Sequence, residues 1–311
     1  MACQTPLKYF PIQSTVPFKD EIYKNKIIFI TGGGTGLGKS MSLKFSQLGG
    51  IVIIASRKLD VLKKAAVEIS KVTGNKVVPI QMDIRCQKSV SEGIDQIEVM
   101  FGKLPDIVIN NAAGNFISPT ERLSSNAIRT IVDIVLLGTV NVTLEVGKRI
   151  IKRKENGCVF AFVSALYATS TAEFCTPSGI SKAGIENLSR SLASEWGKYG
   201  MRFNVISPGP IPTDGAFGNL SILSKEETIE MASQRTPIGR VGTPEEFANL
   251  MAYICSDYCS YMSGATIAFD GGSYLYGSGS SISAGKLHEI NNDEWDTIEK
   301  LIKSRSVKNK I

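Results

Sequence analysis

Histidine is almost absent from this sequence: His288 is the only one among 311 residues. The six cysteines are scattered and form no CxxC pair, although Cys255 and Cys259 would share a face if they lie on one helix. A Cys/His zinc site and a His-based nucleophilic triad both need residues that this chain lacks. We therefore interpret the cysteines as ordinary core or surface thiols and expect no metal.

Long apolar runs and clusters of one charge are also missing. No run approaches the roughly 20 apolar residues of a membrane span, although 43% of the residues are hydrophobic. The net charge of +6 is not gathered into the basic cluster typical of nucleic-acid-binding proteins. We expect a large core, no stable membrane insertion and no nucleic-acid partner. The mild positive excess suits a polyanionic small molecule, and a solvated surface explains it equally well.

The first 25 residues lack arginine and apolar periodicity. An Arg-rich, amphipathic mitochondrial presequence is therefore not evident, and residues 1–25 are expected to form an N-terminal extended arm. Nothing resembles a secretory signal, which favours a reducing compartment. The final residues Asn309, Lys310 and Ile311 do not match a peroxisomal SKL-type signal.

Glycine, by contrast, is concentrated in residues 26–41, KIIFITGGGTGLGKSM. The apolar run 27–30 predicts a buried strand, and the residues from 40 onwards predict a helix with one apolar face. A strand, a glycine-rich turn and a helix form a phosphate site, because the glycines let a pyrophosphate approach the backbone at the helix N-terminus. The alternative is a purely structural turn. The candidate cofactor contacts here are Gly32, Gly34, Thr35, Gly36, Leu37 and Gly38.

Strands and helices continue to alternate along the chain. Further strands are predicted at 51–55, 77–82, 107–109, 159–163, 202–206 and 265–269, and helices at 59–72, 90–101, 127–152, 182–196 and 244–255. Such alternation predicts right-handed βαβ crossovers and a parallel sheet covered on both faces. Length alone suggests two domains, but the unbroken alternation favours one doubly wound Rossmann α/β domain over 26–275 with about seven strands, followed by a C-terminal extension, 276–311. Its ligand should lie at the carboxyl ends of the strands.

The second predicted strand is not followed by an acidic residue. An NAD site uses a carboxylate there to bind the ribose 2′-hydroxyl, whereas this chain has Ser56, Arg57 and Lys58. Arg57 is able to bind a 2′-phosphate and stack on adenine, or it is simply solvated. Asp83, after the third strand, is placed to contact the adenine amino group. This combination favours NADP(H) over NAD(H).

Four motifs together resemble the short-chain dehydrogenase/reductase superfamily: TGGGTGLG at 31–38, NNAAG at 110–114, SxxxK at 178–182 and PGPIPT at 208–213. The resemblance covers roughly residues 25–275. The catalytic Tyr of that superfamily's YxxxK motif is missing, since Ser178 occupies its position while Lys182 is intact. The usual Ser falls on Ala165, and the helix Asn falls on Val135.

A serine cannot simply replace that tyrosine. The pKa of a phenol is near 10, whereas an alkyl hydroxyl barely ionises in water. A neighbouring lysine lowers the pKa of a phenol further. Either the site is inactive or another tyrosine has taken over, and Tyr167, just past the fifth strand in VSALYA, is the candidate.

That rearrangement resembles the NADPH-dependent, mitochondrial-type 2,4-dienoyl-CoA reductases. The similarity runs through NNAAGNFISPTERLS at 110–124, PSxxSKAG at 177–184, EWGKYGMRFNVISPGPI at 195–211 and EWDTIEKLI near the end. It implies a homotetramer that reduces 2,4-dienoyl-CoA to trans-3-enoyl-CoA with NADPH, in unsaturated fatty-acid β-oxidation. By resemblance the catalytic residues are Tyr167, Asn115, Ser178 and Lys182.

The same resemblance implies the remaining contacts. Lys182 would also bind the nicotinamide ribose, and the other cofactor residues on this side are Asn111, Pro208, Gly209, Pro210, Ile211 and Thr213. For the CoA moiety it points to Arg85, Phe116 and Ser124. In the loop after the sixth strand, Asp214 and Asn219 stand where the family commonly has basic residues, so CoA affinity or acyl preference is expected to differ. Residues 213–235 are expected to form a mobile lid.

Several alternatives stay open on the sequence alone. A 3-oxoacyl thioester or other carbonyl reductase of the same superfamily is one, and Ser178 argues against it. A catalytically silent NADP-binding scaffold is another, and the intact Lys182, Asn115 and Tyr167 argue against it. Ser178 is also a plausible helix N-cap, and Asn115 a turn residue. The expected location is mitochondrial by resemblance, with the cytoplasm as the alternative.

Overall fold

A single parallel β-sheet organises the protein. The computed structural model describes residue 12 and residues 18–154, 157–213, 215, 224–275 and 290–308. The sheet has seven strands in the order β3-β2-β1-β4-β5-β6-β7, every pair parallel. The strands are Ile27–Thr31 (β1), Ile51–Ser56 (β2), Val77–Gln81 (β3), Ile107–Asn110 (β4), Val159–Val163 (β5), Arg202–Pro208 (β6) and Thr266–Phe269 (β7).

The central strand β1 is buried on both faces, as its continuous apolar run predicts. It pairs Phe29 with Ile53 of β2 on one side and with Val108 of β4 on the other. Strand order reverses at β1, because β2 and β3 extend in one direction and β4 to β7 in the other. The carboxyl ends of β1 and β4 therefore flank the crevice where a doubly wound sheet binds its ligand.

Helices cover both faces of the sheet, and the sheet separates the apolar core into two layers. One layer packs around Phe45 and Phe247, and the other around Phe160 and Phe203, whose rings stack 4.9 Å apart. The helices are Gly36–Gln47 (α1), Leu59–Thr73 (α2), Gln87–Phe101 (α3), Ser125–Val132 (α4), Gly138–Arg153 (α5), Thr176–Trp196 (α6), Lys225–Gln234 (α7), Pro244–Cys255 (α8) and Asn292–Lys308 (α9).

One continuous helical stretch, Ser125–Arg153, joins α4 and α5 through a π-helical turn at Asp133–Leu137. By length and mean hydropathy alone it meets the criterion for a membrane-crossing helix. Val142, Val146 and Ile150 of this stretch are buried in the core beneath the sheet. A helix that covers a sheet through one apolar face meets the same criterion, and this helix packs in that way, with 33% of its most apolar window buried.

The predicted single doubly wound domain is confirmed, and most boundaries agree within a few residues. Helix α6 begins at Thr176, six residues earlier than predicted, and the predicted helix 127–152 contains the π-helical turn. Helices α7 and α9 had not been predicted. The described part of the N-terminal segment, residues 18–25, forms turns rather than an extended arm, and the buried Tyr23 hydroxyl donates to the Ala252 carbonyl.

Candidate active site

The glycine-rich turn between β1 and α1 has no room for a side chain at Gly33 or Gly38. Gly32 has a φ of +66°, and its N–H donates to the Ala55 carbonyl at 2.7 Å. A Cβ on Gly38 would lie 2.1 Å from the Gly32 oxygen. Thr35 precedes α1 without capping it through its side chain, and the first turn holds no acidic residue. The exposed N–H groups and dipole end therefore favour an anion, and this cradle fits a pyrophosphate.

The NNAAG segment fastens the carboxyl end of β4 to this turn. The Thr31 hydroxyl accepts hydrogen bonds from the backbone N–H groups of Asn111 and Ala112, at 3.0 and 3.1 Å. The Asn111 side-chain amide donates to the Thr31 carbonyl at 3.0 Å. Asn111 thus ties the carboxyl end of β4 to the turn after β1.

A cationic corner lies where β2 and β3 end. Arg57 and Lys58 are exposed there. Arg85 binds Asp83 in a bidentate ion pair with a shortest distance of 2.6 Å. The hydrogen bond from Arg85 lowers the pKa of Asp83, and the charge of Arg57 acts in the same direction. The two residues assigned to adenine and to CoA, Asp83 and Arg85, are therefore partners of one another in this structure.

Three polar side chains meet past the end of β5. The Tyr167 hydroxyl lies 3.0 Å from the Ser178 Oγ, and the Asn115 Nδ2 approaches the same hydroxyl at 3.5 Å. Asn115 also accepts the N–H of Phe116 through its Oδ1, at 2.9 Å, so the expected turn and the approach to Tyr167 coexist. Residues 115, 167 and 178 come from three separate segments, and the sheet brings them together.

Burial raises the pKa of Tyr167, although the hydrogen bond from Ser178 opposes the shift. The causes of this shift are burial, the hydrogen bond with Ser178 and the charge of Cys175, so the pKa-lowering effect expected from a neighbouring lysine is not among them. Tyr167 therefore stays protonated at neutral pH and acts as a hydrogen-bond donor rather than as a phenolate.

Helix α6 carries Ser178 and Lys182 one turn apart. Cys175 occupies the N-cap position, so the alternative that Ser178 caps this helix is wrong. Lys182 is buried, and its ammonium group donates to the Val163 carbonyl at the end of β5. Burial lowers the pKa of Lys182 to about 8, while the negative charge of Glu186 opposes this effect.

Glu186 had not been singled out from the sequence. Its side chain is buried one turn after Lys182, and it accepts hydrogen bonds from the hydroxyls of Ser164 and Ser207, at 2.8 and 3.0 Å. A glutamate four residues after a lysine is typical of a solvated helix pair. Its spacing therefore gives no signal, and only the folded structure shows that it lies on the buried face of α6, with Ile185 and Ser189.

Two loops border the entrance to this site. Ser118 donates its N–H to the Phe174 carbonyl at 2.9 Å, and the hydroxyls of Thr120 and Thr176 lie 2.8 Å apart. Phe174 has a φ of +59°, a strained value for a bulky residue. Of the residues predicted to contact CoA, Phe116 lies on the first of these loops. Ser124 caps α4 by accepting the N–H of Ala127 at 3.1 Å.

The loop after β6 closes the other side. Gly209 donates its N–H to the Phe269 carbonyl at 3.0 Å, and Ile211 is buried. Thr213 approaches Gly36, since a Cβ on that glycine would lie 3.6 Å from the threonine side chain. Pro208 ends β6 and Pro210 follows Gly209, so the predicted nicotinamide loop runs from the end of β6 to the phosphate cradle. The predicted residues Asp214 and Asn219 lie outside the described residues.

A cleft of about 320 Å³ separates this loop from α7. Its walls include Pro210, Met231 and Arg235. The described part of the predicted lid, residues 224–235, is therefore mostly a helix, and a capping box formed by Ser224 and Glu227 fixes its start. Whether this lid moves stays a prediction.

Known proteins resemble this chain over most of its length. A family model described as enoyl-(acyl carrier protein) reductase matches residues 32–274. A probable 2,4-dienoyl-CoA reductase of Caenorhabditis elegans, named as producing (3E)-enoyl-CoA, is 47% identical over all of both chains. The peroxisomal 2,4-dienoyl-CoA reductase of Rattus norvegicus is 34% identical and covers 83% of this chain and 87% of its own length.

Bacterial proteins also resemble this chain over most of its length. A probable 2,4-dienoyl-CoA reductase of Bacillus subtilis, named as producing (2E)-enoyl-CoA, is 39% identical over 81% of this chain and 98% of its own. The crystal structure of a short-chain dehydrogenase from Bacillus anthracis superposes with a TM-score of 0.75 at 38% identity. It covers 82% of this chain and 99% of that one.

Proposed function

The chain belongs to the short-chain dehydrogenase/reductase family, and we propose that it is the member that reduces 2,4-dienoyl-CoA to trans-3-enoyl-CoA with NADPH. One observation carries the proposal. The superfamily's catalytic tyrosine position is Ser178, and the hydroxyl of Tyr167 lies 3.0 Å from it, within reach of Asn115. The relatives named as 2,4-dienoyl-CoA reductases support the same substrate.

The substrate itself defines what the site must do. When bound, NADPH would supply a hydride to C5 of the dienoyl group, and the electrons of the conjugated system would collect on the thioester oxygen. Tyr167 and Asn115 donate hydrogen bonds to that oxygen, where charge develops in the transition state. A proton that comes ultimately from solvent water is then added at C2 and completes the trans-3-enoyl product. Because its pKa is raised, Tyr167 keeps its proton for this donor role.

Supporting groups surround these two donors. Ser178 holds the Tyr167 hydroxyl in place, and buried Lys182 binds the nicotinamide ribose and keeps the site electropositive. The glycine cradle would hold the pyrophosphate, and Thr213 with residues 208–211 would hold the nicotinamide. No step in this reaction requires a metal.

The cationic corner supports NADPH over NADH. An exposed Arg57 and Lys58 suit a 2′-phosphate, since a guanidinium group binds phosphate through two hydrogen bonds. We further propose that Arg85 and Phe116 contact the CoA moiety. For this, Arg85 would exchange part of its ion pair with Asp83 for the CoA phosphates, a replacement of one anion by another.

Assembly and location follow the resemblance. We propose a homotetramer in mitochondria. The rat relative is named peroxisomal, so peroxisomes compete with the cytoplasm as the alternative location. Fractionation of cells that express the native chain, followed by immunodetection against marker enzymes, separates the three.

The first test follows NADPH absorbance with the purified protein. We expect oxidation with trans-2,trans-4-hexadienoyl-CoA, little with acetoacetyl-CoA, and weaker activity with NADH. NMR of the product should show the 3-enoyl rather than the 2-enoyl double bond, since relatives of both kinds are named. Turnover of acetoacetyl-CoA instead would favour a carbonyl reductase. NADPH binding without turnover of either compound would favour a catalytically silent NADP-binding scaffold.

Substitution of Tyr167→Phe tests the mechanism. Removing one hydrogen-bond donor to a developing oxyanion costs about 100- to 1,000-fold in kcat. We expect a loss in that range with little change in the KM for NADPH, measured by steady-state kinetics. The matched control is Tyr199→Phe at an exposed tyrosine, which should retain full activity. Unchanged turnover in Tyr167→Phe would remove this tyrosine from the mechanism.

A further inference from the structure

We propose that Glu186 is a positioning residue for the reaction: its buried carboxylate keeps Lys182 in its cationic form and ties together the two strand ends that border the active site. The inference rests on the proposed role of Lys182 at the nicotinamide ribose. It starts from an unusual feature, a carboxylate that is only 2% exposed in the core of the sheet–helix interface. A buried carboxylate is costly unless it is bonded and balanced by charge.

The carboxylate links β5 to β6. Its Oε1 accepts hydrogen bonds from Ser164, directly after β5, and from Ser207, near the end of β6. The backbone N–H of Ser164 also donates to the Ile206 carbonyl, at 2.8 Å. Beyond β5 the chain leads to the Tyr167 turn, and beyond β6 it leads to the nicotinamide loop. One side chain of α6 therefore holds the starting points of both the Tyr167 turn and the nicotinamide loop.

Lys182 holds the neighbouring residue of the same strand end. Its ammonium group donates to the Val163 carbonyl, immediately before Ser164. Lys182 and Glu186 lie one helical turn apart, so α6 binds two consecutive residues at the end of β5, Val163 and Ser164, with one cation and one anion. Attraction between two buried opposite charges is stronger than at the surface, because water screens them less.

Burial lowers the pKa of Lys182 and the charge of Glu186 raises it, and together they leave it at about 8, so burial without Glu186 would lower it further. Other titratable groups lie near α6. Tyr167, on the loop after β5, stays neutral, and Cys175 at the N-cap of α6 raises the pKa of that tyrosine. Asp133, on the π-helical turn packed against α6, raises the pKa of Arg85. Among the described residues, Glu186 is thus the anion that acts on Lys182.

The test is the pH dependence of NADPH binding, measured by fluorescence titration from pH 6 to 9.5, beside the pH profile of kcat/KM. In the native protein both should weaken as pH rises through about 8, because Lys182 loses its charge there. Glu186→Gln keeps the shape and an acceptor for both serines but removes the charge. We expect its alkaline limb to move down by about one pH unit, roughly a five-fold loss at pH 8 and almost none at pH 6.

The control is the double variant Ser164→Ala with Ser207→Ala, which removes the hydrogen bonds and keeps the charge. Its thermal stability should fall while its alkaline limb stays at the native pH. An unshifted limb in Glu186→Gln, or native NADPH binding that is flat across pH 8, would overturn the proposal. If Glu186→Gln does not fold, Glu186→Asp retains a displaced charge and should give a smaller shift in the same direction, and no shift would count equally against it.

The binding measurement separates this inference from the proposed function. If the protein reduces no dienoyl-CoA but binds NADPH with the expected pH dependence, the substrate assignment fails and the role of Glu186 stands. If it reduces dienoyl-CoA but its activity falls at the same alkaline pH in the native protein and in Glu186→Gln, the substrate assignment stands and the role of Glu186 fails.

Discussion

Arg57 stands exposed at the end of β2, close enough to the Asp83–Arg85 ion pair to lower the pKa of Asp83. Its place follows from the sheet alone, because the carboxyl ends of neighbouring parallel strands meet at one edge. The side chain lies at the surface of the binding crevice, so a 2′-phosphate would be bound in contact with water. We therefore expect a contribution at the low end for a charged hydrogen bond, about 1.5 kcal/mol.

Substitution of Arg57→Ala should raise the KM for NADPH about ten-fold and leave the KM for NADH unchanged. The reason is that only NADPH carries the 2′-phosphate. Steady-state kinetics with each coenzyme measures the ratio, and Lys71→Ala, an exposed cation in the last turn of α2, is the matched control. Equal weakening of both coenzymes would mean that Arg57 supports the fold of the crevice instead of reading the phosphate.

Tyr167 and Glu186 differ in how much of their role the sequence predicts. The displaced tyrosine was identifiable, because a missing phenol at position 178 demands another and Tyr167 follows the right strand. Its raised pKa was not, since the shift depends on how deeply the hydroxyl lies in the folded site. Glu186 escaped notice because its spacing from Lys182 is the same in a solvated pair and in a buried one. Only the packing of α6 against β5 and β6 distinguishes the two.

Individual elements differ in how clearly their sequences specify them. The buried strands and amphipathic helices were predictable from apolar periodicity. Helix α7 was missed because it contains no buried residue, although the capping box of Ser224 and Glu227 marks its start. The π-helical turn at Asp133–Leu137 has no local signature, since an extra residue in a helix is accommodated by its neighbours.

Helix α8 offers a direct test of capping at this scale. Thr243 accepts the N–H of Glu246 at 3.2 Å, and Glu246 in turn accepts the N–H of Thr243 at 3.0 Å and a bidentate pair from Arg240. Thr243→Ala should lower the free energy of unfolding by about 1 kcal/mol, as loss of a helix cap typically does. Denaturant unfolding measures the change, and Thr243→Ser should retain most of the stability. A loss equal to that of the alanine variant would assign the effect to the methyl group.

At the scale of the molecule, strand order follows from chemistry that the sequence displays. The glycine-rich turn must follow the first strand, and right-handed crossovers leave few ways to arrange the rest. The reversal of strand order at β1 then gathers residues 31–38, 111, 167 and 208 at one edge. The assembly of several chains is different, because it depends on surfaces that folding of one chain leaves exposed.

Two such surfaces adjoin each other. Leu137, on the π-helical turn, and Ile180, on α6, are 46% and 57% exposed, and the two elements pack together. If the chain forms the proposed homotetramer, burial of apolar side chains such as these would favour association. Sedimentation equilibrium should then give four times the chain mass of 33.6 kDa.

A charge at this position, Leu137→Glu, should shift the distribution to smaller species because the carboxylate would be desolvated. Val72→Glu, on the exposed end of α2, should leave the distribution unchanged. A native protein that sediments as a monomer would contradict the tetramer, and an unaltered tetramer in Leu137→Glu would place its interfaces on other faces of the fold.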